Sequence, residues 1–140
     1  MGSRRKGRVI AFQALFSWDA CRPSKEDLLE FRWLDSERRE KLQPDVLSFA
    51  RHIVAGTLEN IADIDRTIKT HAQNWDIDRI AKVDLAILRI SIYALSYEGD
   101  IPVTVTIDEA VEIAKQFGSN ESYKFVNGIL DAVRRKRNKA

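Results

Sequence analysis

The run from Ile80 to Tyr97, IAKVDLAILRISIYALSY, restricts the fold more than any other part of the chain. Read at helical spacing it carries two apolar rows: Ile80, Val83, Ile87, Ile90 and Ala94 form one, and Leu85, Leu88, Ile92 and Leu95 form the other. A helix with one wet face needs a single stripe of about 100°. Two rows leave only a narrow polar strip of Asp84, Arg89 and Ser96, so other helices must wrap this one. At about 18 residues it could just span a bilayer, but Lys82, Asp84 and Arg89 inside it are each costly in lipid. The segment reads as a buried core helix.

The flanking sequence is read in the same way. Ser3 caps a first helix to about Ala20, with Val9, Phe12 and Phe16 on one row and Ala11, Leu15 and Trp18 beside it. Pro23-Ser24 breaks the chain, and Ser24 with Asp27 starts a short helix through about Trp33. Residues 34–43, LDSERREKLQ, read as an exposed connection. Pro44 suits a helix start. The apolar period then continues through Ile64, Ile68 and Trp75, with Asp63 able to cap a new helix after a bend near 60–65. Gly99-Asp100-Ile101-Pro102 is a turn. Val103, Val105 and Ile107 alternate, but three positions cannot build a sheet. Thr106 and Glu109 form a capping box, Gly118 ends that helix, and Ser119 or Asn120 caps the last one. Gly128 inside the last helix costs about 1 kcal/mol relative to Ala, which implies close packing there. The expected class is all-α.

A chain of 140 residues fits one domain or two small helical lobes sharing a core. Its net charge of +2 hides a partition. Arg4, Arg5, Lys6 and Arg8 crowd the start, and Arg134, Arg135, Lys136, Arg137 and Lys139 crowd the end, with no acid among either group. Removing these nine from 23 cations leaves 14 against 21 acids, so the body is near −7 and its ends carry +9. A basic first turn opposes the helix dipole, so four cations there need another reason. Arginine-rich segments contact phosphates and order on RNA. Gly7 leaves room for that segment to fray or approach a backbone. Tyr123 and Phe125, beside Lys124, offer stacking faces for unpaired bases, although periodicity alone favours core packing for Phe125.

Catalytic and metal constellations are missing. His52 and His71 are far apart in sequence, with no HExxH frame, and Cys21 is the single cysteine, which excludes a cysteine-rich zinc site or an internal disulfide. No GxxxxGKS, GxGxxG or GxSxG is present. Arg89 reads as one half of a buried ion pair with an acid such as Glu109 or Glu112. MGSRRKGR before VIAFQALFSW imitates a signal peptide, but Gln13 interrupts the apolar run and Asp19 occupies the cleavage region. Binding in the cytoplasm is expected, with no enzyme activity, cofactor, metal or membrane span.

The series ALFSW (14–18), LAILRISIYAL (85–95), IPVTVTIDEAVEIAKQFG (101–118) and SYKFVNGILD (122–131) resembles the NusB family of bacterial transcription antitermination factors in order and spacing over essentially the whole chain. The resemblance implies a fold of two small helical bundles packed roughly perpendicular, with about seven or eight helices. Their lobes would cover about 1–60 and 61–140. It implies partnership with NusE, a ribosomal small-subunit protein, joint binding of boxA RNA, and work with RNA polymerase and other Nus factors in ribosomal RNA operons. The family's arginine-rich RNA-binding start falls on Arg4, Arg5, Lys6 and Arg8, where Lys6 keeps a charge but lacks the planar fork. Phe16 stands where a tyrosine is common and lacks its hydroxyl. A second RNA-contacting region falls on Glu121, Lys124 and Phe125, which raises the stacking role of Phe125. The basic C-terminus is not a family hallmark. Removing Arg4 or Arg5 is expected to weaken RNA binding without lowering thermal stability. The rival reading is a helical protein-interaction adaptor with solubilising ends, including the NusB-like accessory domain of RNA-modifying enzymes. Self-association into a homodimer is compatible with either.

Overall fold

The computed structural model describes residues 2–72 and 76–138, and every regular element among them is helical. α1 spans Ser3–Cys21, α2 Lys25–Leu29, α3 Ser36–Lys41 and α4 Pro44–Glu59. α5 spans Ile61–His71, α6 Lys82–Tyr97, α7 Val103–Phe117 and α8 Ser122–Asn138, with one 3-10 turn at Ile77–Arg79. The all-α expectation is met, with eight helices among the described residues. Trp75 and Lys139 lie outside those residues.

α6 is the hub. Eleven of its sixteen residues are buried, so water reaches only a minor part of its circumference. α1, α4, α5, α7 and α8 all pack against it. Ile87, Leu88 and Ile92 are fully enclosed, each contributing about 1.5–3 kcal/mol by burial. One apolar cluster runs from Val9 to Val133, and a smaller one holds Ile10, Phe31, Leu34 and Ala50 under the α2–α3 region. The polar strip expected on α6 is itself partly interior, since Asp84 and Arg89 are buried and only Ser96 is exposed.

Helix ends account for most departures from expectation. α1 starts at Ser3 with Gly2 before it and no side-chain cap. Ser24 Oγ accepts from Asp27 N at 3.0 Å and starts α2, which stops at Leu29 rather than Trp33. Residues 34–43 are not simply a connection: Asp35 Oδ1 accepts from Arg38 N at 2.8 Å and caps α3, while Leu34 anchors the turn in the smaller cluster. Asn60 both ends α4 and precedes α5, so Asp63 is no cap but a partner of Arg66. α7 begins at Val103, directly after Pro102. That extra turn absorbs the alternating valines into the helix and buries Thr106 within it, so the expected capping box does not form. Gly118 ends α7, and α8 begins at Ser122, whose Oγ accepts from Ser119 N at 2.9 Å.

Two glycines play different parts from those expected. Gly7 is buried, and a Cβ there would lie 2.5 Å from Phe49 Cδ2, so it seats the Phe49 ring rather than loosening the chain. Gly128 has open space where a Cβ would stand, so no close packing requires it. Gly128→Ala should therefore stabilise the protein by about 0.5–1 kcal/mol through helix propensity and a restricted unfolded chain, read as a raised midpoint in urea unfolding.

Candidate nucleic-acid interface

The four cations at the start of α1 do not act alike. Arg4 lies over the Phe49 ring at 4.3 Å and Arg8 over the same ring at 5.5 Å, as residues one turn apart allow. Both line a cavity of about 340 Å³ that also holds His52, Tyr93, Glu98 and Asp100, so their charge is partly answered by acids of the body. Burial pulls the half-buried Arg8 guanidinium below its ordinary pKa, against the pull of Glu109. Arg5 donates from Nε and Nη2 to the two Glu109 oxygens at 2.8 and 3.0 Å. Hydrogen bonding to Arg5 outweighs burial and holds the Glu109 carboxyl below its usual range. Arg5 therefore ties α1 to α7 and its fork is engaged. Lys6 is exposed.

Farther along α1, Phe16 is 40% exposed, too much for a core residue of that size. Asp19, three positions on, meets Lys82 at 3.0 Å, which sets this end of α1 beside the first turn of α6. In that turn Asp84 is buried with Oδ1 lacking any hydrogen-bond partner. It borders a cleft of about 390 Å³ whose opposite wall is the start of α8, with Ser122, Lys124 and Phe125, while Arg79 and Ile80 close the floor. Phe125 is half-buried, packed on the core by one part and lining the cleft by another. Glu121 and Lys124 are exposed, 3.8 Å apart.

The cleft thus gathers Glu121, Lys124 and Phe125, whereas Arg4 and Arg8 converge on a separate cavity with Phe49. Asp84 and Phe49 were not singled out from sequence. Asp84 carried a signal, as an acid in a segment with almost no wet face. Phe49 carried none, because its position on the α4 face looks like ordinary core. The Asp84 carboxyl at the cleft wall can accept a hydrogen bond from an amino or imino group of an unstacked base, with Phe125 as an apolar wall.

Arg89 is the buried charge with no such opening. It donates to Asp65 at 2.9 Å through Nε and 3.1 Å through Nη2, and its Nη1 lies 3.6 Å from Asp19. Its partners are these acids of α5 and α1, not Glu109 or Glu112 on α7. Its part is structural.

A sequence model described as the NusB family matches residues 5–135. The transcription antitermination protein NusB of Treponema denticola is 46% identical over 133 residues, covering 95% of this chain and 96% of that protein. The namesake from Myxococcus xanthus is 43% identical over 133 residues, with 95% of each covered. Among solved structures, NusB of T. maritima aligns with a TM-score of 0.82 at 40% identity, over 94% of this chain and 90% of that one. A structure described as antitermination factors NusB and NusE in complex with dsRNA aligns with a TM-score of 0.84 at 25% identity, over 97% and 98% of the two chains. Matched nearly end to end in sequence and in fold, the chain belongs to the NusB family.

Proposed function

We propose that this protein is a non-catalytic RNA-binding transcription antitermination factor of the bacterial cytoplasm, which binds boxA-type RNA together with NusE and acts with RNA polymerase and other Nus factors. One observation carries the RNA-contacting part: the cleft between α6 and α8 sets the carboxyl of buried Asp84 in its wall beside a half-buried aromatic ring. Base edges supply a donor for such a carboxyl, and base faces suit the ring. Arg4 and Lys6 on α1 contribute phosphate contacts, and the exposed ring of Phe16 adds an apolar contact. Glu121 limits affinity by facing the same polyanion beside Lys124.

The test is binding of a fluorescent boxA-like RNA, with and without NusE, against a scrambled RNA of equal length. Preference for boxA that tightens with NusE is expected, and equal weak binding of both RNAs would favour the adaptor reading. Asp84→Asn should lower boxA affinity by about tenfold, the scale of one base-specific contact, and narrow its margin over the scrambled sequence. Arg4→Ala and Lys6→Ala should weaken both RNAs alike and flatten the salt dependence, with the thermal midpoint unchanged in Lys6→Ala and slightly lowered in Arg4→Ala, which gives up the Phe49 ring. Arg5→Ala differs from them, because it also removes the clamp on Glu109.

A further inference from the structure

Basic residues crowd the last turns of α8. Arg134 and Arg135 both pair with Asp131 one turn earlier, and Arg137 donates to the Leu95 carbonyl near the end of α6. These contacts, together with the favourable placing of cations at a helix C-terminus, account for three of the four described cations. Lys136 is different. It faces a cleft of about 420 Å³ between α5 and α8, where Arg137, Arg66, His71 and Ser96 are also found. Four groups able to carry positive charge line this cleft, and no acid lines it among the described residues.

The neighbours leave much of that charge available. Arg66 gives Nη1 to Asp63 at 2.6 Å, but both side chains are more than 60% exposed, so the pair is weak. His71 Nδ1 donates to the Thr67 carbonyl at 2.9 Å, which orients the ring and leaves Nε2 uncommitted. Thr67 and Thr70 bond back to carbonyls of α5, so the lining hydroxyl free to turn outward is that of Ser96. A rigid pair of helices holding an arginine fork, a lysine and a hydroxyl around an open cleft is chemistry for a phosphate group.

α8 supplies the link to the interface already described. Phe125 and Lys136 are eleven residues apart, which is about 17 Å along the axis and close to three full turns, so both lie on nearly one azimuth. A stacked strand with about 3.4 Å between phosphates covers that length in roughly five nucleotides. We infer that the cleft between α5 and the end of α8 is a second phosphate-binding site, which holds the RNA backbone beyond the segment contacted at the start of α8, an inference that rests on the RNA-binding reading above.

Three RNAs test it: a boxA-like core, the same core carrying ten unstructured nucleotides on either side, and a scrambled core with the same extensions. The Lys136→Gln/Arg66→Gln variant is compared with the intact protein, Arg137 being kept for its bond to Leu95. The extended RNA should bind the intact protein more tightly than the core alone. That advantage should shrink roughly sevenfold between about 50 and 200 mM salt, as two single-strand phosphate contacts require. The variant should lose the advantage while binding the core as before. The His71 imidazole resonances should move with extended RNA and stay still with the core.

An extension advantage retained in the variant, or missing from the intact protein, overturns the cleft and leaves the boxA reading standing. No preference for the core over its scrambled form overturns that reading instead. Inorganic phosphate is the remaining arm. If it alone moves the His71 resonances and extended RNA does not, the cleft takes free phosphate and the backbone assignment falls.

Discussion

Arg89→Ala should lower the stability of the protein by about 3 kcal/mol, near the lower end for breaking a buried ion pair. A chain of this length would then melt about 12 °C earlier. The side chain is 6% exposed and joins α6 to Asp65 of α5 and Asp19 of α1 at once. Its loss leaves two largely enclosed acids without the cation between them, although Lys82 still holds Asp19. The ring of Trp18, 5.4 Å from Arg89 Cζ, would lose a neighbour as well. Arg89→Lys should recover part of the loss, since a lysine keeps the charge but cannot serve Asp65 with two parallel bonds.

Acid titration gives a second readout. Burial opposes ionisation of Asp19, but Lys82, Arg89 and Arg22 outweigh it and hold the carboxyl below its ordinary pKa. A carboxyl depressed on folding contributes stability that is present above the unfolded value, about 3.9, and lost as pH falls through the folded one. The intact protein should therefore lose this contribution below about pH 4. With one of the three cations removed, the acid-side fall should be shallower in Arg89→Ala. A variant that melts within about 1 °C of the intact protein, with an identical acid limb, would mean that solvent already satisfies both acids.

The burial of Arg89 shows what a one-dimensional pattern can and cannot carry. Two apolar rows in Ile80–Tyr97 are enough to demand neighbours on every side, because period and composition belong to the segment itself. The partner of Arg89 is a tertiary fact: Glu109 and Glu112 were reasonable acids by composition, yet α5 and α1 are the helices that present carboxylates at its height. The same distinction separates the cations of α1. Their clustering was legible, and it pointed to a polyanion, but the engagement of Arg5 by Glu109 depends on where α7 crosses. Thr106 and Glu109 fit a capping box locally, and the local reading failed because Pro102, four residues earlier, starts the helix first. Phe125 came into view through family resemblance, whereas Asp84 needed the structure, since only burial reveals an oxygen without a partner.

Gly56→Ala should destabilise the protein by about 2 kcal/mol even though alanine is the better helix former by about 1 kcal/mol. A Cβ at this position in α4 would stand 2.3 Å from Tyr93 Cζ and 2.4 Å from Cε1 and the hydroxyl oxygen. Contacts that short force the Tyr93 ring off its stack on Tyr97, 5.7 Å away between centroids, and toward the cavity it lines. The ring must leave its seat. Its hydroxyl would then lose Glu98, to which it donates at 2.7 Å, and Glu98 would keep only His52. In the intact protein, burial and then Glu98 push the Tyr93 phenol well above its usual pKa, and a displaced ring should titrate nearer the ordinary value of about 10. A double-mutant cycle isolates the cause. In a Tyr93→Leu background the ring atoms are gone, and Gly56→Ala should become neutral or mildly stabilising as helix propensity dictates. An undiminished penalty in that background would place the conflict elsewhere, in the backbone of α4 against α6, and the ring would not be what requires a glycine at position 56.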